Sequence, residues 1–99
     1  MRLGTVIGRI TLSQAAAGLT GARWLMVSPG TREQMPVPFG PPVLTAQPSL
    51  IVYDDLGAGT GDVIGFIEGR EAASPFDPPI PIDAINAAII DRINFEPAT

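Results

Sequence analysis

Whatever chemistry this chain performs must be done with carboxylates and arginines. It has no His, no Cys and no Lys. There is therefore no imidazole base or ligand, no thiolate for catalysis or zinc, and no amine for a Schiff base or a P-loop. Carboxylate chemistry remains, either an acid–base pair or an oxygen-ligand metal site. The acids are Glu33, Asp54, Asp55, Asp62, Glu68, Glu71, Asp77, Asp83, Asp91 and Glu96, and only Asp54-Asp55 is a tight pair. Neighbours on a strand point to opposite faces, so such a pair does not converge on one substrate atom. The residues point away from an enzyme, and they imply no metal and no cofactor.

A second constellation is Gly57-Ala58-Gly59-Thr60-Gly61. As a phosphate cradle it would have to follow a strand, open a helix and carry the spacing G-x-G-x-x-G. Here the spacing is G-x-G-x-G and the flanking segments are both strand-like. A tight turn between strands is the better reading.

The elements that must hold these residues are short. Residues 2–12 are rich in β-branched side chains and read as a strand, with Gly4 and Gly8 expected on one face. Trp24 to Val27 is a second strand, apolar on both faces and so expected to be covered on both. Six of the eleven prolines fall in residues 29–48, which reads as a loop with at most an edge strand. Leu50 to Tyr53 and Val63 to Glu68 are further strands, the latter stopped by Gly69. Residues 71–74 can form one helical turn before Pro75. Ile82, Ile85, Ile89 and Ile93 recur as on a helix, but the run from Ile89 to Phe95 is β-branched, and pattern alone leaves helix and strand open. Five short strands with Gly-rich corners make an all-β chain, a small five-stranded OB-like barrel with a short helical turn, in one domain over residues 1–99.

Composition then limits the partners. Of the 99 residues 45% are hydrophobic and 16% charged, an apolar excess for a chain with so small a core. The surplus is expected on the surface, where it marks an interface, and oligomerisation supplements the limited core. The net charge of -4 argues against nucleic acid and against anionic membrane surfaces. No apolar run approaches 18 residues, and the opening segment is too interrupted for a signal-peptide core. The expected location is the cytoplasm, which agrees with the lack of Cys.

Four segments carry a resemblance. Residues 19–27, Leu-Thr-Gly-Ala-Arg-Trp-Leu-Met-Val, are similar to the second-strand signature of one family, and residues 55–63, Asp-Leu-Gly-Ala-Gly-Thr-Gly-Asp-Val, to its glycine loop. Pro81-Ile82-Asp83-Ala84 followed by Ala88-Ile89-Ile90-Asp91 resembles its C-terminal strand, and Met1 to Gly8 its opening strand. Order and spacing agree outside residues 29–48. The family is the vertex proteins of carboxysome and ethanolamine-utilisation shells. The segments 53–57 and 65–73 most resemble vertex proteins of sugar-degrading metabolosomes, of fucose or rhamnose type. Two departures stand out, the proline-rich loop and Asn86, where an aliphatic residue is common.

The resemblance implies a five-stranded barrel, a homopentamer, and a structural place at the corners of a bacterial microcompartment shell, beside hexameric or trimeric tile proteins. It also implies that residues 85–95 are mostly strand, after a turn at 81–84. An OB-type module for a small ligand or oligonucleotide is the alternative, and it would need exposed aromatics and a basic groove. Gly57, Ala58, Gly59, Thr60 and Gly61 are expected at the five-fold axis, bordering a narrow opening, because backbones meeting there need small side chains; the alternative is a tight hairpin far from the axis, where glycine serves only positive φ. Trp24, Met26 and Phe66 are expected to divide between barrel core and subunit boundary. Asp91, in an otherwise apolar strand, is expected to pair with an arginine or a backbone N–H, with the boundary as one place for that partner.

Overall fold

The computed structural model describes residues 1–16, 18–19, 21–35 and 41–93. Five strands form: β1 (Arg2–Ile10), β2 (Arg23–Gly30), β3 (Leu50–Asp54), β4 (Val63–Glu68) and β5 (Ala84–Ile90). A single helical turn, α1 (Arg70–Ala73), links β4 towards β5, and a 3-10 turn, Arg32–Gln34, follows β2. The strands close into a barrel in the order β1-β2-β3-β5-β4. Every seam is antiparallel except β3 with β5, which is parallel and rests on one pairing, Tyr53 with Ile85.

Alternation along each strand sorts the side chains. Val6, Leu25, Val27, Val52, Ile64, Phe66 and Ala84 fill the interior with Ala58, and Leu50 and Ile89 pack against them. These are mostly β-branched or large apolar residues on period-two positions, which suits a pleated, covered face. Each large side chain fully withdrawn from water contributes about 1.5–3 kcal/mol. The outward positions of β2 and β3 are Trp24, Met26, Ile51 and Tyr53, in register as Trp24 with Tyr53 and Met26 with Ile51.

The glycines of β1 do not share a face. The register with β2 slips between Val6 and Gly8, so Ile7 is an inserted residue. Such a bulge turns the rest of the strand over. A Cβ on Gly4 would strike Val27 Cγ1 in the core, whereas one on Gly8 would meet Met26 Sδ at 3.5 Å on the outside.

The second strand runs further than expected, through Pro29 to Gly30. Its partner β3 stops at Leu50 opposite Val27, so Pro29 lies where β2 has lost that neighbour and needs no ladder donor on that side. Thr45 covers the gap: its N–H donates to Ser28 Oγ at 2.9 Å and its hydroxyl to the Pro29 carbonyl at 2.6 Å. The last strand is shorter than the resemblance implied. It ends at Ile90, residues 91–93 lie outside it, and Phe95 falls outside the described residues.

Candidate functional site: the glycine loop and the outward face of the barrel

The loop from Asp54 to Val63 joins β3 to β4, strand to strand. Asp54 closes β3 on an inward position and is 2% exposed, while its neighbour Asp55 faces solvent. A carboxylate buried this way must be paired or hydrogen-bonded. Asp54 accepts from the N–H of Leu56 at 3.0 Å, of Gly57 at 3.1 Å and of Ala58 at 3.0 Å. The Asn86 side-chain amide adds a fourth donor at 3.0 Å. Arg23 Nε lies 3.6 Å from the same carboxylate, and Arg23 Nη2 donates to the Ala58 carbonyl at 2.8 Å.

Asn86 is thus explained. The β4–β5 register slips so that Phe66 faces Asn86 and Gly65 faces Ala88, leaving Ala87 as a bulge. The Asn86 side-chain oxygen accepts from the Ala88 N–H at 3.2 Å, while its amide reaches Asp54. An aliphatic residue at that position could do neither.

The second half of the loop is tied down by another acid. Asp62 accepts from the Gly59 N–H at 2.8 Å, and its own N–H donates to the Gly59 carbonyl at 3.0 Å. Gly61 donates to the Val6 carbonyl at 2.9 Å, and Val6 donates to the Asp62 carbonyl at 2.8 Å, which extends the β1–β4 seam into the loop. The amides of Leu56, Gly57, Ala58 and Gly59 already point at this chain's own carboxylates. A phosphate cradle would need those donors free, so the nucleotide reading fails on geometry as well as spacing.

The five loop residues are not equivalent. Ala58 is fully buried in the core cluster and Gly61 is also buried. Gly57 and Thr60 are exposed and Gly59 half-buried, so these three form the accessible tip. Gly57 holds a φ of 91°, which the turn requires. Gly59 has no positive φ, and a Cβ there would meet nothing within 4 Å. Among the described residues, nothing within one protomer demands glycine at 59.

Trp24, Met26, Phe66 and Asp91 are scattered. Phe66 is wholly buried in the barrel and belongs to the core. Trp24 is on the outward face but only 8% exposed. Tyr53 packs on it edge-on with ring centroids 5.6 Å apart, and Phe76 packs edge-on against Tyr53 at 5.1 Å. Met26 is half-buried, and its partner Ile51 is 45% exposed. Asp91 is not inside the last strand. It is exposed just beyond it and has no hydrogen bond or ion pair among the described residues, so desolvation within one protomer does not explain it.

Sequence reasoning missed Asp54, Arg23 and Asn86 as the organisers of the loop. The available signal was an acid ending an apolar strand on its inward phase, just ahead of the glycine turn. Among the described residues, no group of three or more His, Cys, Asp or Glu could hold a metal ion. Among them, too, no helix is long and apolar enough to cross a membrane. Among the described residues, Trp24, Tyr53 and Phe76 pack edge-on against one another and offer no open base-stacking platform of the kind a single-strand binder uses.

Comparison with known proteins agrees with this architecture. No curated protein sequence matches the chain. Among solved structures, the GrpN pentameric microcompartment shell protein from Rhodospirillum rubrum is 25% identical, with a TM-score of 0.77 over 98% of this chain and 100% of that one. CcmL of Nostoc sp. PCC 7120 is also 25% identical, with a TM-score of 0.76 over 94% and 92% of the two chains. The pentameric shell protein MSM0273 from the RMM microcompartment matches at 25% identity and a TM-score of 0.71, over 91% and 100%. The model of the family described as "Ethanolamine utilisation protein EutN/carboxysome" matches residues 1–91, so the bulged barrel and its carboxylate-tied glycine loop sit in a chain that belongs to that family.

Proposed function

We propose that this chain is a structural shell protein. It forms homopentamers that cap the vertices of a bacterial microcompartment in the cytoplasm, and it catalyses no reaction. The observation that carries the reading is the similarity of essentially the whole chain to a protein described as a pentameric microcompartment shell protein. The physics of a shell supplies the rest. Hexagonal tiles make a flat sheet, and closing it needs five-fold corners. A head-to-tail contact that closes after five copies provides such a corner.

The outward face of β1, β2 and β3 is the boundary we assign between copies. Met26 and Ile51 leave apolar surface exposed there, and Trp24 lies beside them under Tyr53. The tip formed by Gly57, Gly59 and Thr60 borders the five-fold axis, with Ala58 and Gly61 beneath it as its anchor in the barrel. The absence of any side chain at Gly59, which one protomer does not require, supports that placement. Hexameric or trimeric shell tiles are the remaining partners.

Co-expression tests this reading. With hexameric and trimeric tile proteins, the chain is expected to yield closed polyhedral shells by electron microscopy, and its omission open sheets or tubes. Closed, complete shells without it would overturn the vertex assignment.

A further inference from the structure

The β1–β2 connection leaves a cleft of about 490 Å³ between the end of β1, residues 11–13, 15, 19 and 21–22, and the start of β2. Its apolar floor includes Ile10, Leu12 and Trp24, which continues the outward face carrying Met26 and Ile51. Among the described residues, the charged ones that line it are Arg9 and Arg23, and no acid does. Arg23 is already engaged with Asp54 and the Ala58 carbonyl. Arg9 is exposed and makes no ion pair among the described residues. An acidic protein, with net charge -4, thus carries a positive, partly apolar recess.

In a head-to-tail ring the two contacting patches differ and lie on different flanks. The strand order makes β5 the strand that pairs with neither β1 nor β2, so it lies across the barrel from this cleft. Just past its end stands Asp91, exposed and without a hydrogen bond or ion pair among the described residues. Asp77 follows Phe76, which packs on Tyr53, and Ile80 lies where a Cβ on Gly18 would meet it, so that acidic segment is on the cleft's own side.

We infer that the cleft is the receiving half of the ring contact and that Arg9 of one copy pairs there with Asp91 of the next. The inference rests on the pentameric reading. A charge pair at such a boundary fixes register and rejects wrong orientations, which a ring that must close at five requires.

Charge reversal and its repair test this by native mass spectrometry across a protomer dilution series. Arg9→Glu and Asp91→Arg are each expected to raise the concentration for half-assembly on the order of tenfold or more. The double variant is expected to regain most of that loss. Far-UV circular dichroism reports whether each variant is folded. If Arg9→Glu does not fold, Arg9→Gln removes the charge alone and is expected to weaken the ring in the same direction. A wild-type pentamer unaffected by the single variants, or singles that weaken it without repair in the double, overturns the pairing alone. A wild-type monomer overturns the ring reading itself. Arg70→Glu, at a residue that does not line the cleft, is expected to leave the mass unchanged, and a loss of assembly there would reduce the effect to net charge and overturn the pairing.

Discussion

Replacing Asp54 with alanine is the sharpest perturbation of the loop. Four donors lose their acceptor: the N–H groups of Leu56, Gly57 and Ala58, and the Asn86 amide. Leu56 and Gly57 are exposed, so water can replace the carboxylate there. Ala58 is 0% and Asn86 3% exposed, and their donors stay buried. Each orphaned buried donor costs about 1–3 kcal/mol, giving about 2–6 kcal/mol for the pair. Arg23 would keep its bond to the Ala58 carbonyl and is half-solvated, so its ion pair adds little. A domain of this size is stable by about 5–15 kcal/mol, and each kcal/mol moves Tm by roughly 4–8 °C. Asp54→Ala is therefore expected to lower Tm by at least about 8 °C, measured by circular dichroism at one fixed protomer concentration. Asp55→Ala, one residue away but exposed, is expected to shift stability by less than about 0.5 kcal/mol. Equal melting curves for the two variants would refute the assignment of Asp54 as the buried anchor of the loop.

Five further substitutions probe the same account. Gly57→Ala places a Cβ at a φ of 91° and is expected to cost about 1–2 kcal/mol in a thermal melt, whereas Gly59→Ala should be close to neutral for the isolated subunit. Gly59→Trp should leave that subunit foldable and yet disrupt the pentamer or occlude its axis, read by circular dichroism beside particle mass and electron microscopy. Gly4→Ala drives a methyl into Val27 and is expected to cost about 1–3 kcal/mol by denaturant titration. Trp24→Ala removes the base of the Trp24–Tyr53–Phe76 stack and is expected to cost about 3–5 kcal/mol of stability or to abolish assembly; no change in either would contradict its placement.

Much of the barrel was legible because its strands differ sharply from their connections. Val63–Glu68 is β-branched, apolar on both faces and bounded by glycine, and it forms over those residues. The helical turn before Pro75 and the strand-to-strand setting of the glycine loop were readable for the same local reasons. What escaped was set by pairing rather than pattern. The bulge at Ile7 depends on the neighbouring strand, so alternation alone put Gly4 and Gly8 on one face when they lie on two. Pro29 could be a strand residue because β3 ends early. Asp91 looked costly only while it was counted inside the last strand, which stops at Ile90. The contacts of Asp54 with Arg23 and Asn86 join residues 31 and 32 positions apart, which no local window relates.

The mass of the folded protein in solution tests the central claim most directly. Native mass spectrometry at micromolar protomer concentration is expected to show one dominant species at five times the 10.3 kDa chain. A monodisperse monomer under those conditions would contradict the account.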